Sequence, residues 1–148
     1  MARSVNILLV EDDPNDVMLI RKAVQKSLSG IPLAVVSNGQ EAIDYLKGEV
    51  PYADRALHPL PDIVLLDLKM PLMNGFEVLR WIRLHPVLKR LPVIILTGSV
   101  HDSDARLAYE MGANSYVIKP TDFNELVKTM EVLTDFWLAR SKLPQAAP

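Results

Sequence analysis

The sequence contains no cysteine among its 148 residues. A disulfide framework and a thiolate metal site are therefore excluded, and the composition suits a reducing compartment. The chain also has little net charge, −2 at pH 7, so the field of the whole molecule does not favour nucleic acid. We expect a cytoplasmic protein without a nucleic-acid partner.

Long apolar runs are absent as well, since none approaches the roughly 20 residues that a membrane helix needs. Glu11 and Asp12 directly follow the first apolar stretch, which no signal peptide tolerates. Apolar residues nevertheless make up 49 % of the chain and charged residues 23 %, enough for a core. The composition therefore predicts an ordinary globular domain without membrane contact.

The sequence does contain five short runs rich in Val, Ile and Leu, each followed by a helical pattern. The runs hardly alternate with polar residues, which is typical of strands buried on both faces of a parallel sheet. Right-handed crossovers then give a doubly wound, flavodoxin-like α/β fold with strand order 2-1-3-4-5. The five runs are 5–10, 33–36, 63–66, 93–96 and 116–118.

Helix ends are marked by capping residues. Asp13-Pro14 predicts an N-cap followed by proline at the first helical position, and Asn74-Gly75 opens the third helix. Gly112 ends the fourth helix, and the last helix begins near Asp122. The inward face of the first helix is predicted from its spacing as Val17, Ile20, Ala23, Val24 and Leu28.

One domain is predicted over residues 1–140, followed by a flexible tail at 141–148 and no output domain. The segment 48–61 is irregular, with three prolines and no clear period. It is either a tolerated insertion, which we favour, or a loop that contacts a partner. Arg80, Arg83, Lys89 and Arg90 form a weakly basic region that we interpret as a solvated helix face.

Chemically active side chains collect at the predicted strand ends, where ligands bind in open parallel sheets. The residues are Glu11 and Asp12 after the first strand, Asp67 after the third, Thr97 after the fourth and Lys119 after the fifth. Because the first and third strands are neighbours, three carboxylates meet and repel one another. A hard cation relieves this repulsion, and oxygen ligands without His or Cys indicate Mg²⁺.

A carboxylate beside Mg²⁺ can also act as a nucleophile toward a phosphoryl group. A lysine ammonium and a hydroxyl donor complete such a site, and Lys119 and Thr97 provide them. Each of these residues alone has a structural explanation, and Asp13 is mainly a helix cap. Their coincidence at four strand ends favours the chemical interpretation.

These residues stand in segments that resemble the receiver domains of two-component response regulators, of the single-domain, chemotaxis-regulator-like type. The segments are LLVEDD at 8–13, LLDLKMPLMNG at 65–75, LTG at 96–98 and GANSYVIKP at 112–120. The resemblance covers about residues 5–138. By this resemblance Asp67 is the phosphoacceptor, Asp12 binds Mg²⁺ directly, Glu11 acts through water, and the backbone carbonyl of Lys69 is a further ligand.

The resemblance also implies a switch driven by a sensor histidine kinase. Thr97 and Lys119 would each contact a phosphoryl oxygen, and a cis Lys119–Pro120 bond is expected to aim the lysine inward. On phosphorylation Thr97 moves and Tyr116 turns inward, which remodels the face of the fourth helix, fifth strand and fifth helix. The alternative for Tyr116 is a half-buried strand aromatic that does not move.

The loop at 48–61 and the ending Phe136-Trp137-Leu138 are similar to the small response regulators that partner bacterial phytochrome histidine kinases. Three consecutive apolar residues cannot share one helix face, so at least one needs a partner surface. We therefore expect a homodimer through the last helix and its extension. The alternative is that the tail folds back over Trp137.

Three other functions compete with a phosphorylation switch. A haloacid-dehalogenase-type phosphatase needs a second Asp two residues after its nucleophile, but Lys69 stands at that position here. Its nucleophile also follows the first strand, whereas Asp67 follows the third. A flavodoxin-type cofactor module needs a phosphate loop where the acids at 11–13 would repel a phosphate. A receiver that acts as an interaction module without phosphorylation stays open.

Overall fold

The computed structural model describes residues 5–27 and 30–144, in which five parallel strands form one sheet. The order β2-β1-β3-β4-β5 confirms the predicted flavodoxin-like arrangement. The strands are β1 (Ile7–Val10), β2 (Leu33–Val36), β3 (Ile63–Leu66), β4 (Val93–Thr97) and β5 (Ser115–Ile118). Strand β1 begins two residues later than predicted, because the backbone amide of Asn6 donates to the carboxylate of Asp62 instead of to a strand.

Helices alternate with the strands along the chain. They are α1 (Pro14–Ser27), α2 (Gly39–Lys47), α3 (Gly75–Leu84), α4 (Asp102–Glu110) and α5 (Phe123–Thr134). Two predicted caps are in place: Asn74 forms a capping box with Glu77, and Asp122 accepts from the backbone of Glu125, whereas the C-cap of α4 is Met111, one residue before the predicted Gly112. No helix within the described ranges is long and apolar enough to cross a membrane.

Two apolar layers cover the two faces of the sheet, which explains why the strand sequences do not alternate. One layer packs the sheet against α2, α3 and α4, and the other packs it against α1 and α5. Ile20, Ala23 and Val24 of α1 are buried as predicted, whereas Leu28 lies outside the described residues. The sheet is therefore fixed from both sides, and its strand ends form a rigid edge.

The segment 48–61 is tied to the end of α2 by Arg55. Its guanidinium donates to the carbonyl oxygens of Tyr45 at 2.8 Å, Leu46 at 2.9 Å and His58 at 3.1 Å. The Tyr45 hydroxyl donates in turn to the carbonyl of Pro59 at 2.9 Å. The loop is thus anchored to the domain, while its contact with a partner stays a prediction.

The chain after α5 continues as a π-helical turn, Asp135–Arg140. Trp137 and Leu138 are half-buried and pack against the layer formed with α1 and α5, whereas Phe136 keeps an exposed fraction of 55 %. The structure therefore buries two members of the apolar triplet within the chain. The tail predicted at 141–148 lies outside the described residues from position 145 onward.

Candidate functional site

Three carboxylates meet where β1 and β3 end. The ladder sets Val10 opposite Leu66, and the amide of Asp67 donates to the carbonyl of Val10 at 3.1 Å. One carboxylate oxygen each of Glu11, Asp12 and Asp67 lies within 4.8 Å of the others. The structure therefore brings together the three acids that the sequence predicted, two of them buried and Asp12 exposed at the mouth.

Lys119 reaches this acidic group from the loop after β5. Its Nζ lies 2.5 Å from Glu11 Oε1, 2.8 Å from Asp16 Oδ2 and 3.5 Å from Asp67 Oδ2. Among the described residues the cis peptide bond is Val50–Pro51, so the predicted cis bond at Lys119–Pro120 is wrong. The lysine points inward without it, because its amide stays bonded to the carbonyl of Thr97 at 2.7 Å and its stem is long.

Burial controls the charge of this cluster. It raises the pKa of Glu11 to about 7, with the Asp67 charge adding to the rise and the Lys119 ammonium opposing it. Burial alone would lower the pKa of Lys119, but its hydrogen bond to Asp16 and the charges of the nearby Glu11 and Asp67 carboxylates outweigh burial, so that pKa is raised. Lys119 is therefore a permanent cation beside the acids.

The donor set fits Mg²⁺. Glu11 Oε1 is buried and, within residues 5–27 and 30–144, has no donor in hydrogen-bond geometry, although the Lys119 ammonium lies beside it. The acids offer only hard oxygen ligands, and Asp12 faces a cleft of about 460 Å³ whose wall includes Lys69. A partly hydrated cation can enter there, while the coordination by the Lys69 carbonyl stays a prediction.

Thr97 and Tyr116 lie on the neighbouring strands. Thr97 is buried at the end of β4, and its hydroxyl oxygen accepts from the amide of Ser99 at 3.4 Å. The Tyr116 hydroxyl donates to the carbonyl of Ser99 at 3.0 Å, and the ring packs against the core. Ser99 also donates to Asp104 at 2.6 Å, so one loop joins the threonine, the tyrosine and α4.

Two polar residues have roles that the sequence interpretation missed. Asp16 contacts Lys119. The sequence feature that could have indicated this contact is the position of Asp16, four residues before buried Ile20 and thus on the inward face of α1. The solvated helix face predicted to include Arg83 is wrong for this residue. Its guanidinium donates to Gly112, Leu91, Lys89 and Asn114.

We expect the stabilisation of the protein by Mg²⁺ to depend on pH. The pKa of Glu11 is raised from 4.5 to about 7 in the folded, metal-free chain, so between these values the folded state binds more protons than the unfolded chain. The contribution of Glu11 to the free energy of unfolding therefore falls as pH rises through this window. Mg²⁺ needs the deprotonated group, so its apparent dissociation constant should rise by up to about tenfold per unit below pH 7.

Thermal unfolding with and without Mg²⁺ measures this effect, with a larger shift in Tm expected at about pH 8 than at about pH 6. Glu11→Gln is the matched control, because the amide does not titrate in this range. An equal pH dependence in Glu11→Gln would show that another group is responsible.

The chain matches a family model described as the response regulator receiver domain over residues 7–131. The response regulator Rcp1 of Synechocystis is 35 % identical over 140 residues, which cover 95 % of this chain and 93 % of Rcp1. The probable methanogenesis regulatory protein FilR2 of Methanothrix harundinacea is 38 % identical over 95 % of this chain and 88 % of FilR2.

Solved structures agree over nearly the whole length. The phosphorylated cyanobacterial phytochrome response regulator RcpA has a TM-score of 0.89 at 35 % identity, covering 97 % of this chain and 100 % of RcpA. The Mn²⁺-bound form of Rcp1 has a TM-score of 0.85 at 34 % identity, covering 95 % of this chain and 99 % of Rcp1. The similarity therefore includes both the fold and the strand ends that carry the acidic cluster.

Proposed function

The chain belongs to the response regulator receiver domain family, and from this premise we propose that it is a phosphorylation-dependent switch whose acceptor is Asp67. The observation that carries the proposal is a buried Asp67 that shares an acidic group with Glu11 and Asp12 and lies 3.5 Å from the Lys119 ammonium. The phosphoryl donor is a sensor histidine kinase. The chain acts in the cytoplasm through protein contacts, not as an enzyme on other substrates and not on nucleic acid.

The transfer follows from the positions of the side chains. An oxygen of Asp67 attacks phosphorus, a new P–O bond forms, and the P–N bond to the kinase histidine breaks, so that the imidazole leaves and takes up a proton. Lys119 and Thr97 each hold a phosphoryl oxygen. Mg²⁺ held by Glu11, Asp12, Asp67 and the Lys69 carbonyl would neutralise the charge of the phosphoryl oxygens.

The signal then passes from Thr97 to the surface. A movement of the Thr97 hydroxyl toward the phosphoryl group displaces the loop that carries Ser99, because the Ser99 amide donates to that hydroxyl. Ser99 is also hydrogen-bonded to Tyr116 and Asp104. Phosphorylation thereby favours one arrangement of α4, β5 and α5, the face on which a downstream protein binds.

A kinase of the phytochrome type is the proposed partner. The support is the likeness to RcpA, described as a phytochrome response regulator, over 97 % of this chain. The anchored loop at 48–61 and the apolar ending at Phe136 belong to the same region of likeness. Phosphotransfer from a purified phytochrome kinase and from a kinase of another sensor class would test the pairing directly.

Intact mass after incubation with a small phosphodonor tests the switch. We expect a Mg²⁺-dependent phosphoryl adduct on the wild type and none on Asp67→Asn, since the amide is not a nucleophile. An equal adduct on Asp67→Asn would mean that another residue is the acceptor. No adduct with either a small donor or a kinase would favour an interaction module, and multiple-turnover hydrolysis of phosphate monoesters would favour a phosphatase.

We also propose a homodimer through α5 and the turn that follows it. Val132 and Phe136 stand one helical turn apart with exposed fractions of 68 % and 55 %, a stripe that a second copy would cover. Trp137 and Leu138 are half-buried against the core, and the Trp137 ring lies 5.3 Å from the Phe136 ring.

Phe136→Ala is expected to shift the hydrodynamic mass from dimer to monomer in sedimentation velocity. Leu84→Ala is the matched control, because this leucine of α3 is also exposed, at 71 %, and should leave the mass unchanged. Trp137→Ala should weaken the dimer and also lower stability, since the ring packs on the core. A wild type that is monomeric at all concentrations would contradict the dimer.

A further inference from the structure

Asp16 stands apart from the three acids that form the cation site. It lies in the first turn of α1, four residues before buried Ile20, so its side chain points toward the sheet edge and not away from it. Its carboxylate accepts from Lys119 Nζ at 2.8 Å, across 103 positions of sequence. The ammonium is therefore shared between the acidic cluster and a fourth carboxylate on another element.

The contacts of Lys119 show which partners compete for it. Its Nζ is 2.5 Å from Glu11 and 2.8 Å from Asp16, but 3.5 Å from Asp67, the residue beside which a phosphoryl group would form. The Asp16 side chain is 33 % exposed, against 8 % for Asp67, so Asp16 occupies the rim of the site. The ammonium therefore lies closer to Glu11 and Asp16 than to Asp67, and Asp16 is its partner at the rim.

We propose that Asp16 is a positioning residue that retains the Lys119 ammonium at the rim and so weakens the hold of the site on a phosphoryl group. This role rests on the proposed function of Asp67. A phosphoryl group brings a charge of about −1.5 to −2, which draws the ammonium off Asp16. The site gives up one ion pair whenever it engages the phosphoryl group.

Removal of the Asp16 charge therefore strengthens phosphoryl binding for two reasons. Lys119 loses a competing partner, and the anionic group loses a negative neighbour. A merely structural tie between α1 and the loop after β5 would behave differently. Its loss would change thermal stability without changing the affinity of the site for a phosphoryl group.

Beryllofluoride, a stable mimic of an aspartyl phosphoryl group, provides the test. Its affinity is measured by fluorine NMR at saturating Mg²⁺ in the full chain and in three variants. We expect Asp16→Asn to bind about fivefold more tightly, the size of one partly buried ion pair. Asp16→Glu, which keeps the charge and can reach the ammonium, should stay within about twofold of the wild type.

Asp13→Asn is the matched charge control. It stands three residues before Asp16, its carboxylate accepts from the amide of Asn15 at 2.8 Å, and asparagine can replace it without loss of that cap. An unchanged affinity in Asp16→Asn, or an equal gain in Asp13→Asn, would overturn the positioning role. A wild type that does not bind beryllofluoride at all would instead overturn the proposed function of Asp67, and this role with it.

Discussion

Gly75→Ala is expected to lower the free energy of unfolding by about 3 kcal/mol and to slow phosphorylation of Asp67. A Cβ at position 75 would collide with the carbonyl oxygen of Asp67 and lie 2.8 Å from the Cα of Leu68. Both contacts are with backbone, so no rotation of a side chain relieves them. The amide of Gly75 also donates to the carbonyl of Leu68 at 2.9 Å, so the start of α3 is bonded to the segment that carries Asp67.

Urea unfolding and the rate of adduct formation measure the two effects. Gly98→Ala is the stability control, because a Cβ there meets no heavy atom within 4 Å in the described part of the chain. A loss below about 1 kcal/mol in Gly75→Ala would mean that α3 can shift without strain. Its glycine would then have no steric role beside the acceptor.

Arg83→Ala is expected to cost about 3 kcal/mol of unfolding free energy. The guanidinium donates to the carbonyl oxygens of Gly112 at 2.9 Å and Leu91 at 2.7 Å, and to Asn114 Oδ1 at 2.8 Å. Asn114 Oδ1 also accepts from the amide of Val93 at 2.8 Å. One side chain therefore ties α3 to the start of β4 and to the turn before β5.

Chemical denaturation compares this variant with two others. Arg83→Lys should recover less than half of the loss, because a single ammonium cannot reproduce the planar fork of donors. Arg80→Ala, three residues earlier and exposed, should stay within about 0.5 kcal/mol of the wild type. If Arg83→Ala behaves like Arg80→Ala, the hydrogen bonds contribute no net stability.

The strands, their order and the acidic cluster were predictable because each corresponds to a pattern in the local sequence. A strand buried on both faces is an unbroken apolar run, and residues that follow parallel strands meet at one edge. The contacts of Asp16 and Arg83 correspond to no such local pattern, since they join residues that are 103 and 29 positions apart in the sequence.

The contacts of Arg55 have a consequence for how this chain can change in length. The left-handed Gly48 caps α2, and Arg55 of the following loop binds its last carbonyl oxygens, so helix end and loop are joined. A deletion that removes Arg55 would take these donors from Tyr45 and Leu46 as well as shorten the loop. Length variation among related sequences should therefore fall between Gly48 and Arg55 and leave this arginine in place. A graft of the loop onto another receiver should include α2.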